Sequence, residues 1–286
     1  MTQAIQNVSD TAFMVAGFRA LETERPQPLF RDPLAAKLAG DHGRKILATV
    51  PRTFVGAWSV VIRTVIIDDL IKQAISEGVD TILNLGAGLD TRPYRMALPK
   101  PLRWVEVDYP HVIELKEARL ADEEPRCRLD RIKLDLTDRL SRRKFLADMS
   151  ARAKKILVLT EGVVPYLTDV DVAKLADDLK DAEKVRFWII DYFSPEAIRY
   201  GKKMRARFMR KAPFRFAPKD WFGFFDQHGW RARDVRYISE EAERLGRPIP
   251  LPFLLKLWVR LAGAFIPRAR RERMKRFAAY VLLIPK

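Results

Sequence analysis

The sequence predicts an α/β fold, with a mainly parallel sheet covered by helices on both faces. Three observations predict it. Short apolar runs alternate with helix-patterned stretches along a chain of 286 residues. A Gly-x-Gly turn, Gly86-Ala87-Gly88, leaves one of those runs. An acidic residue, Asp108, ends the next run twenty residues past Gly88.

The elements follow in order. Residues 1–79 precede the first strand and read as a helical cap, with helical patterns over Thr11–Leu21 and from Arg63 to Ile75. Between them lies the proline-rich loop Glu24–Pro33. Such an extension serves either as a lid over a ligand cleft or as packing on the sheet. Strands are expected at Thr81–Leu85, Arg103–Val107, Arg131–Leu134, Ile156–Thr160, Val185–Asp191, Arg233–Ile238 and Ala278–Ile284. Asp169–Asp181 carries the stripe Val172, Leu175, Ala176 and Leu179, which has a helical period. The whole chain reads as one domain: the cap, a core over 80–238, a basic and apolar insert over 239–277, and a final strand over 278–286.

Composition narrows the class. A 48% hydrophobic content suits a globular chain. The single cysteine, Cys127, leaves no internal disulfide to form, which suits a reducing compartment, and cytoplasmic localisation is expected. No apolar run is long enough to span a bilayer, because Lys256 and Arg260 interrupt Leu251–Ile266. The net charge of +16 is concentrated late in the chain. Residues 199–236 hold 12 Lys/Arg against 3 Asp/Glu, and residues 247–286 hold 10 against 1. This basic C-terminal third reads either as a plain solvated surface or as a site for an acidic protein, a membrane surface or another anion.

The glycine turn allows close backbone approach to a ligand. Alone it also fits plain strand-to-helix packing. With Asp108 at the spacing where a carboxylate meets ribose hydroxyls, a nucleoside ligand is favoured. Asp108 otherwise caps the following segment, and Asp135 otherwise caps the helix after Thr137. Glu106 shares a strand face with Asp108 and reads as a second ligand or, preferably, an exposed charge. Arg92 and Arg95 read as salt-bridge anchors of the loop. His42 falls in an expected loop, His111 follows the Asp108 strand, and His228 suits a helix cap; none is favoured for catalysis. No zinc spacing or nucleophile elbow is present, so no metal is expected.

Several stretches together resemble the leucine carboxyl methyltransferase family. They are Asn84-Leu-Gly-Ala-Gly-Leu-Asp-Thr-Arg-Pro-Tyr-Arg95, Arg19-Ala-Leu-Glu-Thr-Glu-Arg-Pro26 with Leu29-Phe-Arg-Asp-Pro33, Val105-Glu-Val-Asp-Tyr-Pro110, and Thr160-Glu-Gly-Val-Val-Pro-Tyr-Leu167. This is a branch of the class I S-adenosylmethionine-dependent methyltransferases that includes many bacterial O-methyltransferases of polyketide-type, secondary metabolites. The resemblance implies a Rossmann-like, seven-stranded sheet with an antiparallel last strand, and S-adenosyl-L-methionine as cofactor. It implies that Arg63 pairs with the methionine carboxylate and that Gly86, Ala87 and Gly88 form the approach loop. It gives Asp108 the ribose, Asp135 and Leu136 the adenine, and Glu161 the cofactor's amino group. Tyr166 matches a tyrosine of the same pattern and is the one candidate for a catalytic part. Pro165 departs from the pattern, where an apolar residue such as methionine is commoner.

Two helical patterns lie in the basic third. Tyr200, Met204 and Phe208 form a stripe among cations, which suits packing on the domain or an acidic or membrane surface. Pro250–Pro267 is expected to cover the acceptor pocket, with Trp258 and Phe265 as walls, or else to lie at a membrane interface. The expected function is methylation of a carboxylate or acidic hydroxyl on a small, lipophilic acceptor, since no general base stands out. An RNA-modifying methyltransferase is the alternative, with nucleic acid disfavoured as a partner because no stacking-aromatic module is visible. A non-catalytic cofactor-binding protein is the second alternative.

Overall fold

The computed structural model describes residues 8–49, 55–199, 213–250, 273 and 275–286. Helices α1 (Val8–Thr23), α2 (Pro33–Thr49) and α3 (Val55–Ser76) come first. The core then runs β1 (Thr81–Leu85), α4 (Arg92–Arg95), β2 (Arg103–Asp108), α5 (Pro110–Arg119), β3 (Arg128–Lys133), α6 (Arg139–Arg152) and β4 (Ile156–Thr160). A 3-10 turn (Val164–Tyr166) leads to α7 (Asp169–Asp181) and β5 (Val185–Phe193). Last come α8 (Trp221–Gln227), β6 (Trp230–Tyr237), α9 (Ile238–Arg244) and β7 (Ala278–Pro285).

The seven strands form one sheet in the order β3-β2-β1-β4-β5-β7-β6. β1 pairs in parallel with β2 and β4, while β7 runs antiparallel between β5 and β6. This is a Rossmann-like class I methyltransferase sheet with the expected antiparallel last strand.

The period of two in each strand divides the core into two layers. Leu83 and Leu85 of β1 pack with Phe145, Leu146 and Leu175 from α6 and α7. Ile82, next to Leu83 in the chain, packs with Ile66, Ile67 and Leu70 of α3 on the other face. β4 divides in the same way, Val158 to the first layer and Leu157 and Leu159 to the second. A third cluster joins Ala16 of α1 and Leu38 of α2 to Leu89 of the loop after β1 and Tyr94 of α4. The helices before the sheet are thereby attached to that loop.

The edges of the sheet differ from the sequence expectation. β3 begins at Arg128, where its partner Arg103 fixes the register, rather than at Arg131. β6 begins at Trp230 rather than Arg233 and carries a bulge between Ala232 and Asp234. Both edge strands alternate charged with apolar residues, so their apolar signal understates their length. His42 lies within α2, which bends at Gly40 with φ +56°, and not in a loop. Glu106 is fully buried and not an exposed charge; Lys116 Nζ at 2.6 Å and Arg131 Nε at 3.0 Å compensate it.

Candidate active site

The loop after β1 begins with two backbone bonds to β2, from Gly86 N and Ala87 N to Val107 O at 2.7 and 3.1 Å. Gly86 and Gly88 take φ of +71° and +49°. A Cβ on Gly86 would stand 2.4 Å from Val163 Cγ2, so glycine is required there on two counts. Gly88 N donates to Asp108 Oδ2 at 2.7 Å, and Tyr109 N donates to Oδ1 at 2.7 Å. Burial pushes the Asp108 carboxyl above its ordinary pKa, against the opposing pull of these two N–H groups.

The rest of the loop is clamped by charge. Arg92 reaches Asp68 of α3 at 2.7 Å, Asp90 at 2.8 Å and Glu161 at 2.8 Å. Asn84 donates to Asp90 at 2.9 Å. Arg95 reaches Asp68 at 2.6 Å. From α1, Arg19 donates to Leu89 O and pairs with Asp32 at 2.8 Å, while Thr91 Oγ1 donates to Asp32 at 2.6 Å. Burial opposes the charge on Asp90, yet Arg92, Lys116 and Arg19 hold its carboxyl well below the usual carboxylate range. Arg92 and Arg95 thus anchor the loop, as read from the sequence.

Beside this clamp, Arg63 Nε sits 2.9 Å from Glu161 Oε1 as an ion pair without aligned hydrogen-bond geometry. Burial works to raise the Glu161 pKa, but Arg92 and Arg63 hold it below its ordinary value. Behind the Glu161-Gly162 turn stands Asp191, at the end of β5. Its Oδ2 accepts from Gly162 N at 2.9 Å, and its Oδ1 accepts from Tyr280 Oη of β7 at 2.8 Å. Burial pushes this carboxyl up to about 6, against Tyr280 and Arg63.

Some of these groups border a cavity of about 620 Å³, within the range of ~300–1,000 Å³ usual for small-molecule sites. Arg63, the loop Gly86–Gly88, Asp108, Leu136, Glu161 and Tyr166 all line it. Asp135 does not: it is exposed, and its Oδ1 accepts from Thr137 N at 2.8 Å and Thr137 Oγ1 at 2.7 Å. Tyr166 closes the 3-10 turn, with its ring edge-on to Phe214 at 5.3 Å. Met14 and Val15 of α1 and Val60 of α3 form apolar walls, so the cap borders the cavity as well as packing on the sheet. Trp258 and Phe265, and the stripe Tyr200, Met204 and Phe208, lie outside the described residues. Among the described residues, no cluster of His, Cys, Asp and Glu could hold a metal, and no helix is long and apolar enough to cross a membrane.

The leucine carboxyl methyltransferase family model matches residues 12–180, from α1 through the turn after β4 and most of α7. The chain belongs to the leucine carboxyl methyltransferase family. Membership makes it a methyltransferase with S-adenosylmethionine as methyl donor. Two similar proteins carry the name S-adenosyl-L-methionine-dependent methyltransferase. The one from Streptomyces avermitilis is 32% identical over 85% of this chain and 89% of its own length. The one from Streptomyces coelicolor is 30% identical over 84% of this chain and 88% of its own. A solved methyltransferase-named chain from Thermobifida fusca matches the fold with a TM-score of 0.57 at 15% identity, covering 96% of this chain and 94% of that one. A DUF574 family protein from Streptomyces avermitilis matches with a TM-score of 0.52 at 14% identity, covering 95% of this chain and 97% of that one.

Sequence reasoning about this family member passed over Asp68, Asp90 and Asp191. Asp90 sits inside the motif that carries the resemblance, so a signal existed. Arg19 and Asp32 were likewise within quoted motifs but without a role. Asp68 and Asp191 had no signal, because their partners are distant in the chain.

Proposed function

We propose that this protein is an O-methyltransferase, in the cytoplasm, acting on a carboxylate or acidic hydroxyl of a small lipophilic metabolite. One observation carries the proposal: the acidic groups that line the cavity are already engaged. Glu161 is held by Arg63 and Arg92, Asp108 by two backbone N–H groups, Asp90 by Asn84 and Arg92, and Asp171 by Thr168 Oγ1 at 2.6 Å. Among the described residues, no histidine lines the cavity. A neutral alcohol would need a base to take its proton, whereas an acceptor that arrives ionised needs none.

The residues fit the donor. Arg63 Nε is buried without a hydrogen bond, which leaves a guanidinium able to take a carboxylate. Asp108 has lone pairs beyond the two N–H groups it accepts, suited to ribose hydroxyls. Gly88 offers an approach with only Ala12 Cβ within contact range, 3.4 Å from where a side chain would begin. In this reading Arg63 and Glu161 hold the amino-acid end, Gly86–Gly88 and Asp108 the ribose, and Leu136 the adenine, while Asp135, turned to Thr137 outside the cavity, caps the segment after it. S-adenosylmethionine, when bound, supplies a methyl group on a sulfonium.

The chain's own work is then to bind, orient and exclude water. The prepaid clamp of Arg92, Asp68 and Asp90 fixes the loop, so little ordering remains for the bound state. Walls from Met14, Val15, Val60, Val163 and Leu167 keep the site dry. A dry site of low dielectric suits a reaction between groups of opposite charge. The basic C-terminal third raises the local concentration of an anionic acceptor. The test is a screen of acids and phenols with methyl-labelled donor and mass analysis of the products. Transfer to acids or phenols is expected; transfer to RNA alone, or to neither, overturns the proposal.

A further inference from the structure

Among the described residues, three arginines line the cavity, and two of them already face protein carboxylates. Arg19 pairs with Asp32 and donates to Leu89 O; Arg63 pairs with Glu161. The third, Arg215, is exposed and has no carboxylate within ion-pair distance among the described residues. Its guanidinium is solvated, so an anion in the cavity can pair with it without displacing a protein carboxylate.

Its backbone is fixed where the site would need it. Arg215 N donates to Pro165 O at 2.8 Å, and Phe216 N approaches the same oxygen at 3.3 Å. Ala217 N donates to Asp169 Oδ1 at 3.2 Å. Phe216 is buried in the core, and Phe214 packs on Tyr166. Arg215 is therefore stapled to the turn that carries Tyr166.

The neighbourhood is electropositive. A side pocket of about 60 Å³ shares Leu136, Val163, Leu167 and Asp171 with the main cavity. Arg139 and Arg142 in that pocket are both spent on Asp178, at 3.1 and 2.5 Å. Lys174, also in its wall, has no ion-pair partner among the described residues. Asp171, the acid on this side, is engaged by Thr168 Oγ1. Arg215 thus stands in the main cavity beside Phe214, Val163 and Leu167, and Lys174 in the adjoining side pocket beside Val163, Leu167 and Asp171.

We infer that Arg215 selects an anionic acceptor, pairing with the carboxylate of a small molecule whose body is apolar. This rests on the O-methylation reading only for which group is methylated. A guanidinium that holds one carboxylate oxygen leaves the other exposed. Pairing also draws charge from the acceptor, so Arg215 favours capture over the chemical step. The variant's deficit falls on KM more than on kcat.

The test uses the full chain saturated with S-adenosylhomocysteine. The probes are octanoate, decanoate and phenylacetate, each with its primary amide as the neutral isostere, read by thermal shift and calorimetry. The wild type is expected to prefer acid over amide by about tenfold, in keeping with a charge-assisted contact. Arg215→Gln is expected to bring the two near parity while binding of S-adenosylhomocysteine is unchanged. A wild type without that preference, or a variant that keeps it, overturns the inference. With labelled donor, an acid that is methylated should show a KM raised about tenfold in Arg215→Gln at similar kcat. If acids bind through Arg215 but no label reaches any acid or phenol, the O-methylation reading fails and the inference stands. If acids are methylated and Arg215→Gln has the wild-type KM, the reading stands and the inference fails.

Discussion

Gly88 N and Asp108 Oδ2 are 2.7 Å apart, so the acid that ends β2 closes the glycine loop of β1 on its own side of the sheet. The twenty-residue spacing between them is therefore a contact as well as a ligand signature. One carboxylate shapes the loop and keeps capacity for hydroxyl donors.

Asp108→Ala removes both functions. The dissociation constant for S-adenosylhomocysteine should rise about tenfold or more, from the loss of charge-assisted bonds of roughly 1.5–3 kcal/mol each. Calorimetry checks it. An unchanged constant would assign Asp108 to loop structure alone.

Arg63→Lys tests the fit of the guanidinium. Lysine keeps the charge but lacks the planar fork that engages a carboxylate through two bonds. Donor affinity should fall while the melting temperature without ligand changes little. Normal binding by the variant would remove Arg63 from the proposed donor site.

Asp191 predicts a pH dependence. Its folded pKa of about 6 lies above the ordinary carboxyl value, chiefly through burial. The folded state thus holds a proton that the unfolded state has already released. The resulting stabilisation is complete below the unfolded pKa, about 3.9, and is lost as pH rises through about 6. Urea unfolding from pH 4 to 7 should carry this falling component, and Asp191→Asn should remove it. A variant whose profile parallels the wild type would deny the assignment.

Glu106 predicts a strong coupling in the core. Glu106→Leu leaves the fully buried Lys116 ammonium without its anion, and such losses cost about 3–5 kcal/mol. Adding Lys116→Met removes the stranded charge and should recover a large share of that loss. Denaturant midpoints of the two variants decide it: no recovery in the double variant would place the cost elsewhere, in Arg131 or in packing.

Much of this was legible in the sequence. The strands β1, β4 and β5 are apolar and buried on both faces, so their positions follow from composition. The stripe of α7 gave its bounds without error, because Thr168 caps it and its apolar period faces one layer. The glycine turn and Asp108 were visible because residue type and spacing mark them, and Glu161 because the stretch Thr160–Leu167 carries the family resemblance. The charged edges β3 and β6 were read short, since a charged alternation does not register as strand.

The sequence by itself determined the strands of the sheet and the motifs that carry the family. Only the tertiary structure decided the fate of the charges. Glu106 looked exposed because its partners Lys116 and Arg131 lie on other elements. Asp191 looked like the last residue of an ordinary strand until Tyr280, 89 residues later, donated to it. Local periodicity reports which neighbours along the chain share a face. Whether a buried carboxylate is paired, stranded or raised in pKa depends on groups brought near by folding, and their distances are set by packing alone.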